Sequence, residues 1–335
     1  MKSSIKKLLL VCLLIALIII AGCKVQPDYK KTSKETLPYE EKKILYIDSY
    51  HEGYEWSDGI MRGVRSKLNN TGVELEIHMM DTKNNPSEEF KEQAAIETKS
   101  LIEQFEPDVV IACDDNAFKY VVMPYYKDAD LPFVFCGLNW DASVYGAPYK
   151  NTAGMVEVVL LDKAVDEVKE YADGEDLAFL TVDVLSEHKN AEYYETYLGF
   201  DLKETVFVDN FEDWKTSFTD LQKKVDILIL GVPEGIKNFN EEEAEKFVLD
   251  NVEIPIVVEH DWLIQYGLLA YSKIAEEQGE WSAETALRIL DGTNPSDIPV
   301  TTNKKGKLAL NLVMADKLGI AFRPGLIKNA DVIKR

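Results

Sequence analysis

Short apolar runs rich in Ile, Val and Phe alternate with longer amphipathic stretches along most of the chain. The runs Ile44–Ile47, Val109–Ala112, Phe133–Cys136, Leu177–Val182, Val206–Val208, Ile227–Val232 and Ile256–Val258 are continuous, which predicts parallel strands buried on both faces. Between them, Trp56, Ile60, Val64 and Leu68 recur every four residues, and Phe90 and Ala94 are followed by Leu101 and Phe105. Leu161, Ala164, Val165, Val168 and Ala172 form another stripe, as do Phe211, Trp214, Phe218 and Leu221. Such spacing predicts helices with one apolar face. Asn240 followed by Glu241, Glu242 and Glu243 predicts a helix start, with a capping side chain and anions at the positive end of the dipole. Strand–helix alternation repeated this often means an α/β fold of doubly wound type.

The alternation runs longer than one open sheet usually holds. Pro148, Asn151 and Gly154 interrupt it around residues 146–154, and residues 291–307 carry Gly292, Pro295, Pro299 and Gly306. Two doubly wound parallel-sheet lobes facing a cleft account for this, and the length of 335 residues suits two cores. With 46% hydrophobic and 29% charged residues, disorder as the main state is excluded.

The N-terminus lies outside that pattern. Met1–Lys7 is basic, and an unbroken apolar run from Leu8 to Ile20 is too short for a comfortable bilayer span, so it reads as an export signal. It ends in Ile20-Ala21-Gly22-Cys23, which resembles the lipobox of bacterial lipoproteins. That resemblance implies cleavage before Cys23, acylation of its thiol and a membrane anchor outside the cytoplasm, where acyl chains hold by burying methylenes. Residues 1–22 are then the signal peptide, and the polar residues 23–41 a flexible tether.

Charge narrows the partners. Lys and Arg number 37 against 59 Asp and Glu, a formal net charge of -22, which argues against nucleic acid or an anionic membrane surface. Four Cys are too few for a disulfide scaffold. Cys113 and Cys136 each end a predicted strand, compatible with two buried thiols or one cross-strand disulfide; the apolar context favours thiols.

In sheets of this kind ligands bind beyond the carboxyl ends of the strands. The loops expected there contain Ser49, Tyr50, His51 and Trp56; Asp114, Asp115 and Asn116; Asn139 and Trp140; Asp183; Glu234; and His260 and Asp261. Aromatic faces beside carboxylates suit a small ligand bearing an amine or aromatic ring, and nearby helix N-termini suit a carboxylate, so an amino-acid-like ligand would use both. Other roles fit single residues: Asp114 or Asp115 equally suits a helix cap, Trp56 a core stripe, and Trp214 the core. No helical pair spacing supports a metal site, and G-x-S-x-G, phosphate-loop, G-x-G-x-x-G and H-E-x-x-H motifs are absent, so neither catalysis nor a cofactor is expected.

Ile47-Asp48-Ser49-Tyr50-His51 with Trp56 and Gly63, Met80-Asp81-Thr82-Lys83, Pro107–Ala112, Asp114–Ala117, Pro132–Asn139, Tyr266–Tyr271, Ala286–Gly292 and Ala315–Ile320 follow one another in an order and spacing that resembles the ABC-transporter substrate-binding proteins of the type I periplasmic-binding fold. The group it looks like includes binders of tryptophan and tyrosine, and Asp114–Asn116 looks closer to related sensor domains fused to histidine kinases. The resemblance implies a hinge with three crossings, a ligand held in the interlobe cleft, and an ABC permease and ATPase as partners. It assigns residues 42–154 with 266–300 to one lobe and 155–265 with 301–335 to the other. The alternative it implies is a ligand-sensing lipoprotein feeding a membrane histidine kinase.

Overall fold

The computed structural model describes residues 37–335; the signal peptide, the Cys23 site and the tether through residue 36 lie outside the described residues. The tether expected to reach residue 41 ends earlier. At Tyr39 the backbone amide donates to Thr71 O at 3.0 Å and the hydroxyl donates to the Asp291 carboxylate at 2.9 Å, which fixes this segment on the folded body.

The first lobe opens with β1 (Lys43–Asp48), α1 (Glu55–Leu68), β2 (Glu74–Met79), α2 (Glu88–Phe105) and β3 (Val109–Cys113). A short helix, α3 (Asp114–Ala117), widens into a π-helical segment over Phe118–Tyr126, and β4 (Phe133–Asn139) and β5 (Thr152–Glu157) follow. The chain then crosses to the second lobe through α4 (Leu161–Lys169), β6 (Leu177–Val182), α5 (Leu185–Thr196), β7 (Leu202–Val208), α6 (Phe211–Leu221), β8 (Ile227–Leu230), α7 (Glu241–Asn251), β9 (Ile256–Val258) and β10 (Leu269–Lys273). It returns for α8 (Ala275–Leu290) and β11 (Thr301–Thr302), and finishes with β12 (Gly306–Asn311), α9 (Leu312–Leu318), α10 (Pro324–Asn329) and β13 (Val332–Lys334).

One sheet has the order β11-β5-β4-β3-β1-β2 and the other β13-β12-β10-β9-β8-β6-β7. The first is parallel throughout. In the second, β12 runs antiparallel to β10, with Gly306 opposite Lys273. The cause is topological: β10 leaves the lobe at its carboxyl end, and the chain re-enters at that same end, so the next strand must run the other way.

The strand pairings place the crossings after Glu157, Lys273 and Thr302. This corrects the expected division, which put Leu269–Lys273 in the first lobe and Thr301–Thr302 in the second. It also corrects the expected interruption at residues 146–154: Thr152–Glu157 is a fully buried strand. Gly154 is there because a Cβ would lie 2.0 Å from the Phe135 ring.

The helix starting after Asn240 forms as expected, its side chain accepting from the Glu243 amide. Trp214 is core, stacked on Phe218 with centroids 5.6 Å apart. A layer of Ile44, Tyr46, Ile111 and Val134 from the first sheet packs against Ile60 and Val64 of α1 and Ala283 and Ala286 of α8. Full burial of each aliphatic side chain contributes about 1.5–3 kcal/mol.

The hinge is knitted by side chains rather than left as loose loops. Asn303, on the third crossing, accepts from the Val158 amide at 2.8 Å and donates to the Val158 carbonyl at 3.0 Å on the first crossing. Gln278 of α8 accepts from the Gly137 amide, and Glu277 accepts from the Lys304 and Lys305 amides. The crossings between the lobes therefore share one polar seam.

Candidate functional site

The carboxyl ends of β1, β3, β4 and β5 in one lobe and of β9 and β10 in the other converge beside that seam. A cavity of about 290 Å³ opens there, lined by Tyr54 and Trp56 from the first lobe and His260, Trp262, Ser272 and Lys273 from the second and the hinge. Trp262 is 58% exposed and stacks on His260 with centroids 4.0 Å apart. The Lys273 ammonium lies 5.2 Å from the Trp56 ring and pairs with the Glu157 carboxylate. Burial, helped by the Lys273 charge, lowers the His260 imidazole to about 3, so it is neutral at physiological pH.

Glu157 connects this aromatic cavity to a set of carboxylates in the first lobe. Asp114 is 2% exposed, with φ +66°, and its Oδ2 has no hydrogen-bond partner. Its carboxyl is held well above the ordinary range by burial and then by the Glu157 and Asp48 charges. The helix it opens has no side-chain cap bond, so capping is not its role. Asp115 accepts from Asn139 at 2.7 Å and from the Tyr145 hydroxyl at 2.8 Å. The Tyr50 phenol is raised by burial and then by Asp114 and Asp115, which places it in the same acidic neighbourhood.

Trp56, His260 and Asp261 therefore meet at the cavity, and Tyr50, Asp114, Asp115 and Asn139 meet at the carboxylate set. Other expected positions have different employment. Ser49 is fully buried, donating to Cys113 O and accepting from the Ala117 amide. Asn116 donates to Thr82, and His51 contacts the Glu52 carbonyl through Nδ1 at 2.9 Å. Trp140 leaves the first sheet and stacks on Tyr193 of α5 in the other lobe, with centroids 5.0 Å apart, a lobe-to-lobe contact. Asp183 bonds His188, and Glu234 is exposed. Glu157, Lys273 and Tyr54 were missed; the first two end strands β5 and β10, neither of which the apolar pattern marked.

Behind the cavity, Glu259 accepts a hydrogen bond from the Tyr194 hydroxyl. Burial and then the Glu187 charge push its carboxyl up to about 7. A folded-state value above the unfolded ~4.3 means that the folded chain holds the proton more tightly. The resulting stability is full below about pH 4.3 and is lost as pH rises through about 7. Unfolding free energy is thus expected to fall by about 3–4 kcal/mol over that window, and Glu259→Gln to remove this component. Urea midpoints across pH check it; parallel profiles for variant and wild type would refute the assignment.

Two doubly wound lobes, with aromatic and charged strand-end loops meeting at a cavity beside a three-strand hinge, define a bilobal solute-binding protein. A family model described as ABC transporter substrate binding protein matches residues 54–334, and the chain belongs to that family. Members are extracytoplasmic, bind small molecules and work with an ABC permease and ATPase. The fold is shared with a ligand-free, open substrate-binding protein with adhesive properties from Clostridium difficile, at 17% identity and TM-score 0.65, covering 88% of this chain and 99% of that one. It is shared also with an ABC domain in complex with L-Trp from Streptococcus pneumonia, at 17% identity and TM-score 0.53, covering 87% and 99%. A conserved domain protein from Vibrio cholerae matches at 16% identity and TM-score 0.52, covering 88% and 99%. No curated protein matches the sequence. Among the described residues, no helix is long and apolar enough to cross a membrane.

Proposed function

We propose that this protein captures a small amine-bearing, amino-acid-like ligand between its lobes and hands it to an ABC importer while anchored through Cys23. The observation that carries the ligand class is the unpartnered, buried Asp114 Oδ2 near the Glu157 and Asp115 charges, with Glu157 paired to Lys273 on the wall of the cavity that Trp56 and Trp262 also line. A buried carboxylate without a donor is costly, and a ligand ammonium supplies both the donor and the opposite charge. Aromatic faces favour an apolar or aromatic ligand body beside that charge. Lys273 and Lys307 on the cavity wall offer counterparts for a ligand carboxylate. The L-Trp complex of a protein with this fold supports the choice of probes.

The test is a thermal-shift comparison of amino acids with their deaminated acids, L-tryptophan against 3-indolepropionate being one pair. Ligands that bind only the folded state raise its melting temperature by mass action. At least one amino acid is expected to raise it where its deaminated partner does not. Equal shifts within every pair, or none from any compound, would refute the amine-bearing class. Palmitate labelling of the exported protein tests the anchor, and its persistence in Cys23→Ser would refute that site.

A further inference from the structure

We propose that Cys113 and Cys136 close a disulfide once the chain is outside the cytoplasm, stapling β3 to β4 directly beneath the loops that carry Asp114 and Asn139. The inference rests on the extracytoplasmic placement contained in the functional reading above. Three features of the structure carry it.

The first is register. Cys113 and Cys136 are direct partners in the parallel β3–β4 pair, so their side chains leave the same face of the sheet side by side. The second is distance. Their sulfurs lie 2.9 Å apart, within about 1 Å of the ~2.05 Å bond length. Both residues are fully buried, and they are the free cysteines among the described residues. The third is position. Cys113 ends β3 and is followed by Asp114 at φ +66°, while Cys136 lies inside β4 and is followed by Gly137 at φ +71°, where the β4–β5 register shifts. A bond at this point ties together the two strand ends that reach the carboxylate set. Asp114 is on one, and Asn139, which holds Asp115, is on the other.

The chemistry balances as thiol–disulfide exchange. One cysteine thiolate attacks the disulfide of an extracytoplasmic thiol oxidoreductase, forming a mixed disulfide and expelling one thiolate of the enzyme. The second cysteine thiolate then attacks the protein sulfur of that mixed disulfide and releases the other. The pair loses two protons and two electrons, and the oxidoreductase gains them as a dithiol. Such oxidation belongs to compartments outside the cytoplasm. Burial raises the Cys113 thiol and shields both sulfurs, so exchange takes place while the strands are still assembling.

The first experiment alkylates the exported protein on lysis, unfolds it without reductant and weighs it. No alkylated cysteine at 113 or 136, and a linked peptide joining them, is expected; alkylation at both sites would overturn the proposal for the cell. Fractionation of the same cells reports location independently. The second experiment refolds the mature chain carrying Cys23→Ser with oxidised glutathione. A Cys113–Cys136 linked peptide supports the pairing whatever the compartment, and free or glutathione-capped thiols overturn the geometry. Reductant during refolding is expected to lower the melting temperature by roughly 5 °C, as removal of a crosslink over a loop of this size should. The double variant Cys113→Ala/Cys136→Ala is expected to be insensitive to reductant; a wild-type melting temperature equally insensitive would overturn the crosslink.

Discussion

Asp114→Asn is expected to make the protein more stable and worse at its task. Affinity for an amine-bearing amino acid should fall by roughly 10–100-fold, while unfolding free energy without ligand rises by about 1–2 kcal/mol. Both effects have one source. Asp114 is buried, lacks a partner on Oδ2 and stands among Glu157 and Asp48, an arrangement that opposes its own charge. A fold alone has no use for such a carboxylate, whereas a site that must recognise an ammonium does. Asn is the informative replacement, because it keeps the side chain's shape and tolerates φ +66°, which Ala would not do without strain. Denaturant unfolding gives the stability, and calorimetry with the best amino acid from the paired screen gives the affinity. A variant that loses stability and keeps its affinity would show that Asp114 is a structural residue and would sink the amine assignment.

Much of this molecule was legible before its structure. Strands buried on both faces announce themselves as continuous apolar runs, so β3, β4, β6, β8 and β9 were read closely, and with them the loops containing Tyr50, Asp115, Asn139 and His260. Among the strands that escaped, two at the hinge have an apolar signal broken by a residue serving something else. Thr152–Glu157 contains Gly154, which makes room for Phe135, and ends in the charge that pairs with Lys273. Leu269–Lys273 carries Ser272 and Lys273 at the cavity. Interruptions of that kind look like loops in a hydropathy pattern. Here they mark the hinge, so the sequence reading erred where the two lobes exchange chain. Trp140 and Ser49 have contacts that were illegible for a different reason. A strand-end position does not reveal whether its side chain turns into the cleft, into the core or towards the neighbouring lobe.

Gly279→Ala is expected to cost about 4 kcal/mol of stability, a large loss for the addition of one methyl group. Helices α1 and α8 pack backbone to backbone. A Cβ on Gly279 would stand 1.9 Å from the Ile60 carbonyl oxygen and 2.8 Å from the Val64 nitrogen. A Cβ on Gly63 would stand 2.2 Å from the Glu276 carbonyl oxygen. These obstacles are backbone, which no rotamer change can clear, so the helices must separate and open the layer of Ile60, Val64, Ala283 and Ala286 between them. The damage should reach the site as well, since α1 begins beside Trp56 and α8 starts two residues after Lys273. Both single variants are expected to unfold at much lower urea concentration. Because the two glycines relieve one contact, the double variant should lose less than the sum of the singles. Gly325, in a helix with nothing within 4 Å of its Cβ position, supplies the control, and Gly325→Ala should be neutral or stabilising by up to about 1 kcal/mol. If Gly279→Ala behaved like that control, α1 and α8 could not be packed this closely, and the wall they give the cavity would have to be redrawn.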